Sequence, residues 1–222
     1  MSGENSKVNI LQLILVPSII TLAITILRLV GELQHWAPRF FDRTAGGGGA
    51  IVGISWLPFL FGGYFAWKLH SAGEYPPSTA RPIVFALIGI ALMMLPVPVI
   101  IVSKAAAGSP VALIAIVIGA LLALLVLPRG WPSLYKVLLA YGYAARIPVA
   151  IVMLFAIKGD WKTHYDVAPR DDFPAMPWVM KWFWIGALPQ LVLWIAFTVT
   201  MGMLVGGLVV AGRSRKTEPA TA

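Results

Sequence analysis

The sequence contains no cysteine, and only 12% of its 222 residues are charged. The absence of cysteine excludes disulfide bonds, thiolate nucleophiles, iron–sulfur clusters and cysteine-ligated zinc. Soluble globular domains carry about 25% charged residues, so the low charge content argues against a water-soluble fold. The hydrophobic share of 59% and the mean hydropathy of +0.84 point the same way. The chain is therefore predicted to be an integral membrane protein.

Long apolar stretches recur along the whole chain. A helix needs about 20 apolar residues to cross a bilayer, and six stretches come close to or exceed this length. We predict one all-α transmembrane domain over residues 1–222, a bundle of six transmembrane helices. An interfacial helix over 178–186, rich in tryptophan, is expected before the last span. The six spans are predicted over residues 8–30, 50–69, 82–102, 111–127, 136–157 and 187–210.

The basic residues indicate the surroundings of the chain. They outnumber the acidic ones by 17 to 9 and are scattered singly and in pairs, which favours contact with membrane lipids and not with nucleic acid. With six spans, both termini lie on one side of the membrane. The positive-inside rule places them in the cytoplasm by a narrow margin, and we expect a bacterial inner membrane.

A weak internal repeat connects the second and fifth predicted spans. A shift of 90 positions pairs Pro58 with Pro148 and several neighbouring residues with identical ones. Two three-span units would be inverted relative to each other, as in many transporters. The alternative interpretation is a coincidence between two apolar helices, because the remaining spans align poorly.

Arg146 is the most informative single residue, since it falls near the middle of the fifth span. A charge near the bilayer centre costs about 2.5–3.5 kcal/mol, so its side chain should face the bundle interior, a partner or water. Pro148, two residues later, frees a backbone carbonyl one turn back. An anionic ligand would satisfy the guanidinium; alternatively, the side chain extends past Tyr143 to an interface.

Span one carries a second group of polar residues at helical spacing. Arg28 and Glu32 lie one turn apart and are expected to pair. The group would line a water-filled path; alternatively, its hydroxyl groups bond to their own helix and the charged pair ends the span. Its members are Ser18, Thr21, Thr25, Arg28, Glu32 and His35.

The loop after span one combines arginine with a run of glycine. Arg39 and Arg43 precede Gly46 and Gly47, the first two of four consecutive glycines, at the expected start of span two. Free backbone N–H groups at a helix N-terminus bind phosphate, so these four residues are possible phosphate contacts. A flexible turn that allows close helix packing is the alternative, because no nucleotide-binding motif is completed.

Motifs for metals, cofactors and catalysis are largely missing. The loop 159–177 holds acids and His164, but interleaved basic residues favour a solvated loop over a metal site. The three histidines fall at span ends or in loops, so haem is not expected, and no cofactor is predicted. Ser55 has no histidine in a neighbouring span to activate it. The chain is accordingly predicted not to be an enzyme.

Three functional hypotheses remain. The first is transport or binding of an anionic solute or lipid headgroup. The second is a non-catalytic subunit of a larger membrane complex or a homo-oligomer, joined through Gly202, Gly206 and aromatic faces. The third is an enzyme that acts on a lipid phosphate. For the first hypothesis, the predicted ligand-binding residues are Arg146, Arg28, Glu32, Thr25, Tyr143 and Ser55.

Overall fold

The computed structural model describes residues 8–47, 50–103, 109–168 and 175–214, and within these ranges every regular element is helical. Short 3₁₀ turns cover Ala45–Gly47 and Leu127–Arg129, and two π-helical segments, Trp182–Ala187 and Pro189–Leu193, connect the last two α-helices. The α-helices are α1 (Ile10–Leu33), α2 (Leu57–Ser71), α3 (Arg81–Met94), α4 (Pro96–Ser103), α5 (Pro110–Val126), α6 (Pro132–Gly159), α7 (Trp178–Lys181) and α8 (Trp194–Ser214).

Five helical stretches of the described chain are long and apolar enough to cross a membrane. At 1.5 Å per residue, even a 19-residue helix extends about 28 Å, close to the thickness of a bilayer core. The prediction of an all-helical, multi-pass membrane protein is thus confirmed. The five stretches are Ile10–Leu33, Arg81–Val102, Val111–Arg129, Pro132–Gly159 and Trp178–Arg213.

Local sequence explains where several helices begin. The Asn9 side chain accepts a hydrogen bond from the backbone N–H of Gln12, and the Ser109 side chain does the same for Ala112. These are N-caps of α1 and α5. Proline occupies the first turn of α2, α3, α5 and α6, where its missing N–H costs nothing.

The predicted second span, 50–69, begins too early. Residues 51–56 form bends and turns, and α2 starts only at Leu57. Gly46 and Gly47 have positive φ angles, and the carbonyl of Val52 accepts a hydrogen bond from Arg28. The backbone before α2 therefore follows a non-helical path. The prediction that the glycine run lies at a helix N-terminus is therefore wrong for Gly46 and Gly47. Gly48 and Gly49 lie outside the described residues.

Two other predicted spans differ from the structure in detail. The span predicted over 82–102 consists of α3 and α4, which meet at Leu95 just before Pro96. The last span does not start afresh at 187: the chain stays helical from Trp178 to Ser214. Pro189 lacks an N–H, and the turns around it widen to π-helical geometry instead of breaking.

Close packing of α2, α6 and α8 forms the centre of the bundle. A side chain at Gly62 would collide with the backbone of Gly202, and one at Gly206 would lie 2.8 Å from Leu134 and 2.9 Å from Ala66. Helices that touch at glycine can approach closely. The surfaces of Gly202 and Gly206 are thus covered within the chain, and a partner would have to use exposed faces elsewhere.

Candidate functional site

A cavity of about 320 Å³ opens between α1, α6 and the π-helical segments. It brings together Arg28 and Arg146, the two arginines that lie within predicted spans. Its volume lies at the lower end of the roughly 300–1,000 Å³ typical of ligand sites. The other lining residues are Ile24, Thr25, Gly46, Gly53, Ile54, Ser55, Leu113, Val149, Met153, His164, Tyr165, Val167, Trp184, Ile185, Pro189, Gln190 and Trp194.

Arg146 lies near the middle of α6 and is only 4% exposed. Its Nη1 donates a hydrogen bond to Oε1 of Gln190 at 3.2 Å, and its guanidinium carbon lies 4.5 Å from the ring centre of Trp194. Its Nε has no hydrogen-bond partner among the described residues. The guanidinium also forms no ion pair with a carboxylate of those residues. Arg146 therefore lines the cavity without a carboxylate partner in the part of the chain that the structure describes.

Gln190, the partner of Arg146, lies in the π-helical segment that begins at Pro189. Gln190 is nearly buried, and its Nε2 donates to Sδ of Met153 at 3.7 Å. Its amide thus bridges two residues of α6 from the opposite wall of the cavity. π-Helical turns are rare and are frequently found at functional sites.

Arg28, by contrast, is saturated by its own chain. Its Nε pairs with Oε1 of Glu32 at 2.7 Å, which confirms the predicted pairing one turn apart. Its terminal nitrogens donate to the backbone carbonyls of Val52, Asp42 and Gly47 at 2.7, 3.0 and 3.0 Å. Arg28 therefore fastens the loop after α1 to the end of that helix.

Glu32 also holds the loop that follows α6. Its carboxylate accepts hydrogen bonds from the backbone N–H of His164 at 2.9 Å and from Nδ1 of the same residue. Burial lowers the pKa of His164, and the nearby charge of Arg28 lowers it further, against the opposing effect of Glu32. At neutral pH the imidazole is therefore uncharged and donates its Nδ1 proton to the carboxylate.

The other polar residues predicted on span one serve mainly α1 itself. The hydroxyl groups of Thr21 and Thr25 donate to backbone carbonyls one turn back, at 2.8 and 3.0 Å. Thr21 also bonds to Tyr141 on α6, while Thr25 lines the cavity. The Oγ of Ser18 is buried without a partner in the described chain, and His35 lies exposed beyond the helix end. The stripe is thus partly a cavity wall and partly internal packing.

The remaining predicted site residues fall into two groups. Ser55 and Gly46 line the cavity, as does Arg146. Tyr143 is 39% exposed and is not part of the cavity wall, and Arg39 and Arg43 are exposed in the loop. Gly47 contacts Arg28 so closely that a side chain there would meet its Nη2 at 2.5 Å.

Several lining residues were not predicted from the sequence. Gln190 and Trp194 form the wall opposite α6, and Tyr165 joins from the loop. An amide inside the long apolar stretch of the last span is the one local feature that could have indicated Gln190. Within the described ranges, no group of three or more histidine and acidic residues could hold a metal ion, and Asp171 and Asp172 lie outside those ranges.

Comparison with models of known protein families, with curated proteins and with solved structures finds no match to this chain. The chemistry of the cavity is therefore the basis for the functional assignment.

Proposed function

We propose that the chain binds an anionic solute or lipid headgroup in the cavity at Arg146 and passes it across the membrane. The observation that supports this proposal is that Arg146 is buried, lines a cavity and, among the described residues, forms no ion pair with a carboxylate. A cation within a span costs several kcal/mol unless a partner offsets it. An anion bound in the cavity is such a partner.

The contrast with Arg28 supports this assignment. Both arginines line the cavity, but Arg28 has a carboxylate and three carbonyls as acceptors. Among the described residues, the partners of Arg146 are one neutral amide and an aromatic face. A guanidinium has five N–H donors in a planar fork, which suits a phosphate or carboxylate. Arg146 retains N–H donors that a ligand could use, whereas Arg28 stabilises the loop after α1.

Passage across the membrane requires an arrangement of spans that we also propose. With its 15 residues, α2 is about 22 Å long, and we propose that it completes a sixth crossing together with residues 50–56. Both termini then lie on the cytoplasmic side of a bacterial inner membrane. The inverted repeat stays a hypothesis: Pro58 lies in the first turn of α2, whereas Pro148 lies inside α6.

The experiment compares the wild-type protein with Arg146→Gln in proteoliposomes. Binding of radiolabelled orthophosphate tests a soluble anion, and accessibility of fluorescent phosphatidic acid to an external quencher tests translocation of a lipid. We expect the wild type to act on at least one of the two probes and Arg146→Gln to lose that activity. Glutamine keeps polar contacts but removes the charge and the fork of donors.

Arg129→Gln is the matched control, because Arg129 is an exposed arginine that bonds to the carbonyl of Leu125. It should behave as the wild type does. A monodisperse elution profile in detergent would show that each variant is folded. Activity in folded Arg146→Gln equal to that of the wild type would overturn the proposal.

A further inference from the structure

A second, apolar groove adjoins the cavity at Arg146. Its volume is about 370 Å³, and it shares Ser55 and Trp194 with the cavity. The groove lies between the start of α2, α3 and the first turns of α8. Its remaining lining residues are Trp56, Phe59, Met93, Leu193 and Phe197.

Aromatic rings lead from the buried charge into this groove. Trp194 faces the guanidinium of Arg146 at 4.5 Å, and its ring centre lies 5.4 Å from that of Phe197. Phe197 in turn lies 6.2 Å from Phe59 on α2, edge to face. Trp194 therefore lies between the cationic cavity and the apolar groove and borders both.

The outer wall of the groove is exposed at the surface of the described chain. Trp56 and Phe59 are 48% and 43% exposed, although both are large and apolar. In a chain with several membrane-crossing helices, such a surface meets lipid acyl chains. A soluble anion would fill the cavity and leave the groove to the surrounding lipid, whereas an amphiphile would occupy both.

We propose that the ligand is an anionic amphiphile, with its headgroup at Arg146 and an acyl chain in the groove lined by Phe59, Met93 and Phe197. This inference rests on the proposed function and narrows it from anions in general to anionic lipids. Ser55 and Trp194 lie where the headgroup region passes into the chain region. The polar contacts at Arg146 select a negatively charged headgroup, and the groove selects an acyl chain.

The test uses the full chain in nanodiscs of phosphatidylcholine. Phosphatidic acid with brominated acyl chains is titrated in, and tryptophan quenching is compared with that caused by brominated phosphatidylcholine. Trp56 and Trp194 line the groove, so a bound brominated chain should quench them. We expect a saturable excess of quenching by the anionic lipid in the wild type and its loss in Arg146→Gln.

Two variants that fill the groove, Met93→Phe and Leu193→Phe, test the binding of the acyl chain separately from that of the headgroup. Each should weaken the binding of phosphatidic acid about tenfold or more. The control is Leu87→Phe, which adds the same ring to an exposed position of α3 outside the groove and should change nothing. Two groove positions are used so that one misfolded variant does not decide the result.

Binding of glycerol 3-phosphate, which has the phosphate but no acyl chain, distinguishes a failure of this inference from a failure of the proposed function. Equally tight binding of glycerol 3-phosphate and phosphatidic acid by the wild type and by the folded groove variants would reject the proposal that the ligand is an amphiphile. The same result would support the anion site at Arg146. If neither the lipid nor the soluble phosphate binds to the wild type, both proposals are overturned. A preference for phosphatidic acid that both groove variants abolish supports the amphiphile.

Discussion

Glu32 and His164 are joined across 132 residues by two hydrogen bonds, one from the backbone N–H and one from the ring of the histidine. The Glu32 side chain is fully buried and also pairs with Arg28. One carboxylate thus ties the end of α1 to the loop after α6, and both elements border the cavity. The integrity of the candidate site depends on this junction.

Glu32→Gln should therefore destabilise the protein strongly. The substitution leaves Arg28 without its counter-charge and weakens three hydrogen bonds, at a cost of about 2–4 kcal/mol. Thermal unfolding in detergent measures the effect. Asp160→Asn is the control, because Asp160 pairs with Lys162 on the surface with both side chains about 70% exposed. A control that loses as much stability as Glu32→Gln would contradict this role of the junction.

The protonation of His164 should make stability depend on pH. Burial lowers its pKa in the folded protein below the value of about 6.5 expected in the unfolded chain. Between the two values the unfolded chain binds more protons, so stability falls as the pH drops below about 6.5. His164→Asn keeps a side-chain N–H near Glu32 but cannot titrate. It should flatten the melting temperature between pH 7 and pH 5, and an unchanged profile would exclude His164 as the source.

The contact between α1 and α6 depends in part on one hydrogen bond between hydroxyl groups. Tyr141 and Thr21 lie 2.8 Å apart, and both are buried. Tyr141→Phe should cost about 0.5–1.5 kcal/mol, typical of a buried hydrogen bond between helices. Tyr143→Phe, at a half-exposed position of the same helix, should leave the melting temperature unchanged. Equal losses in the two variants would refute the importance of the contact.

Glycine is required where α2 crosses α8. Gly62→Ala would push a methyl group into the backbone of Gly202, which cannot move aside as a side chain can. Overpacking of this kind costs about 1–3 kcal/mol. Gly212→Ala, on α8 with nothing within 4 Å, should be neutral or stabilising. A melting temperature of Gly62→Ala equal to that of the wild type would show that the helices can separate without penalty.

The sequence allowed local features of the site to be predicted. Arg146 and Arg28 stood out because charges are rare in apolar spans, and the pairing of Arg28 with Glu32 follows from helical spacing alone. These inferences need no knowledge of the tertiary fold. They identified two of the residues that line the cavity.

Contacts between distant segments could not be predicted in this way. Gln190 meets Arg146 from 44 residues further along the chain, and only the path of the last helix shows that they face each other. The late start of α2 also has a tertiary cause, because Arg28 binds the carbonyl of Val52. Hydropathy records neither interaction, so it placed the start of this helix too early.

The central proposal is that an anion binds at Arg146. Isothermal titration of the detergent-solubilised protein with dihexanoyl phosphatidic acid, which carries a phosphate headgroup on short chains, measures this binding. Charge-assisted hydrogen bonds contribute about 1.5–3 kcal/mol, so Arg146→Gln should raise the dissociation constant at least tenfold. Arg129→Gln should leave it unchanged. Equal dissociation constants for the wild type and a folded Arg146→Gln would show that Arg146 does not bind the anion.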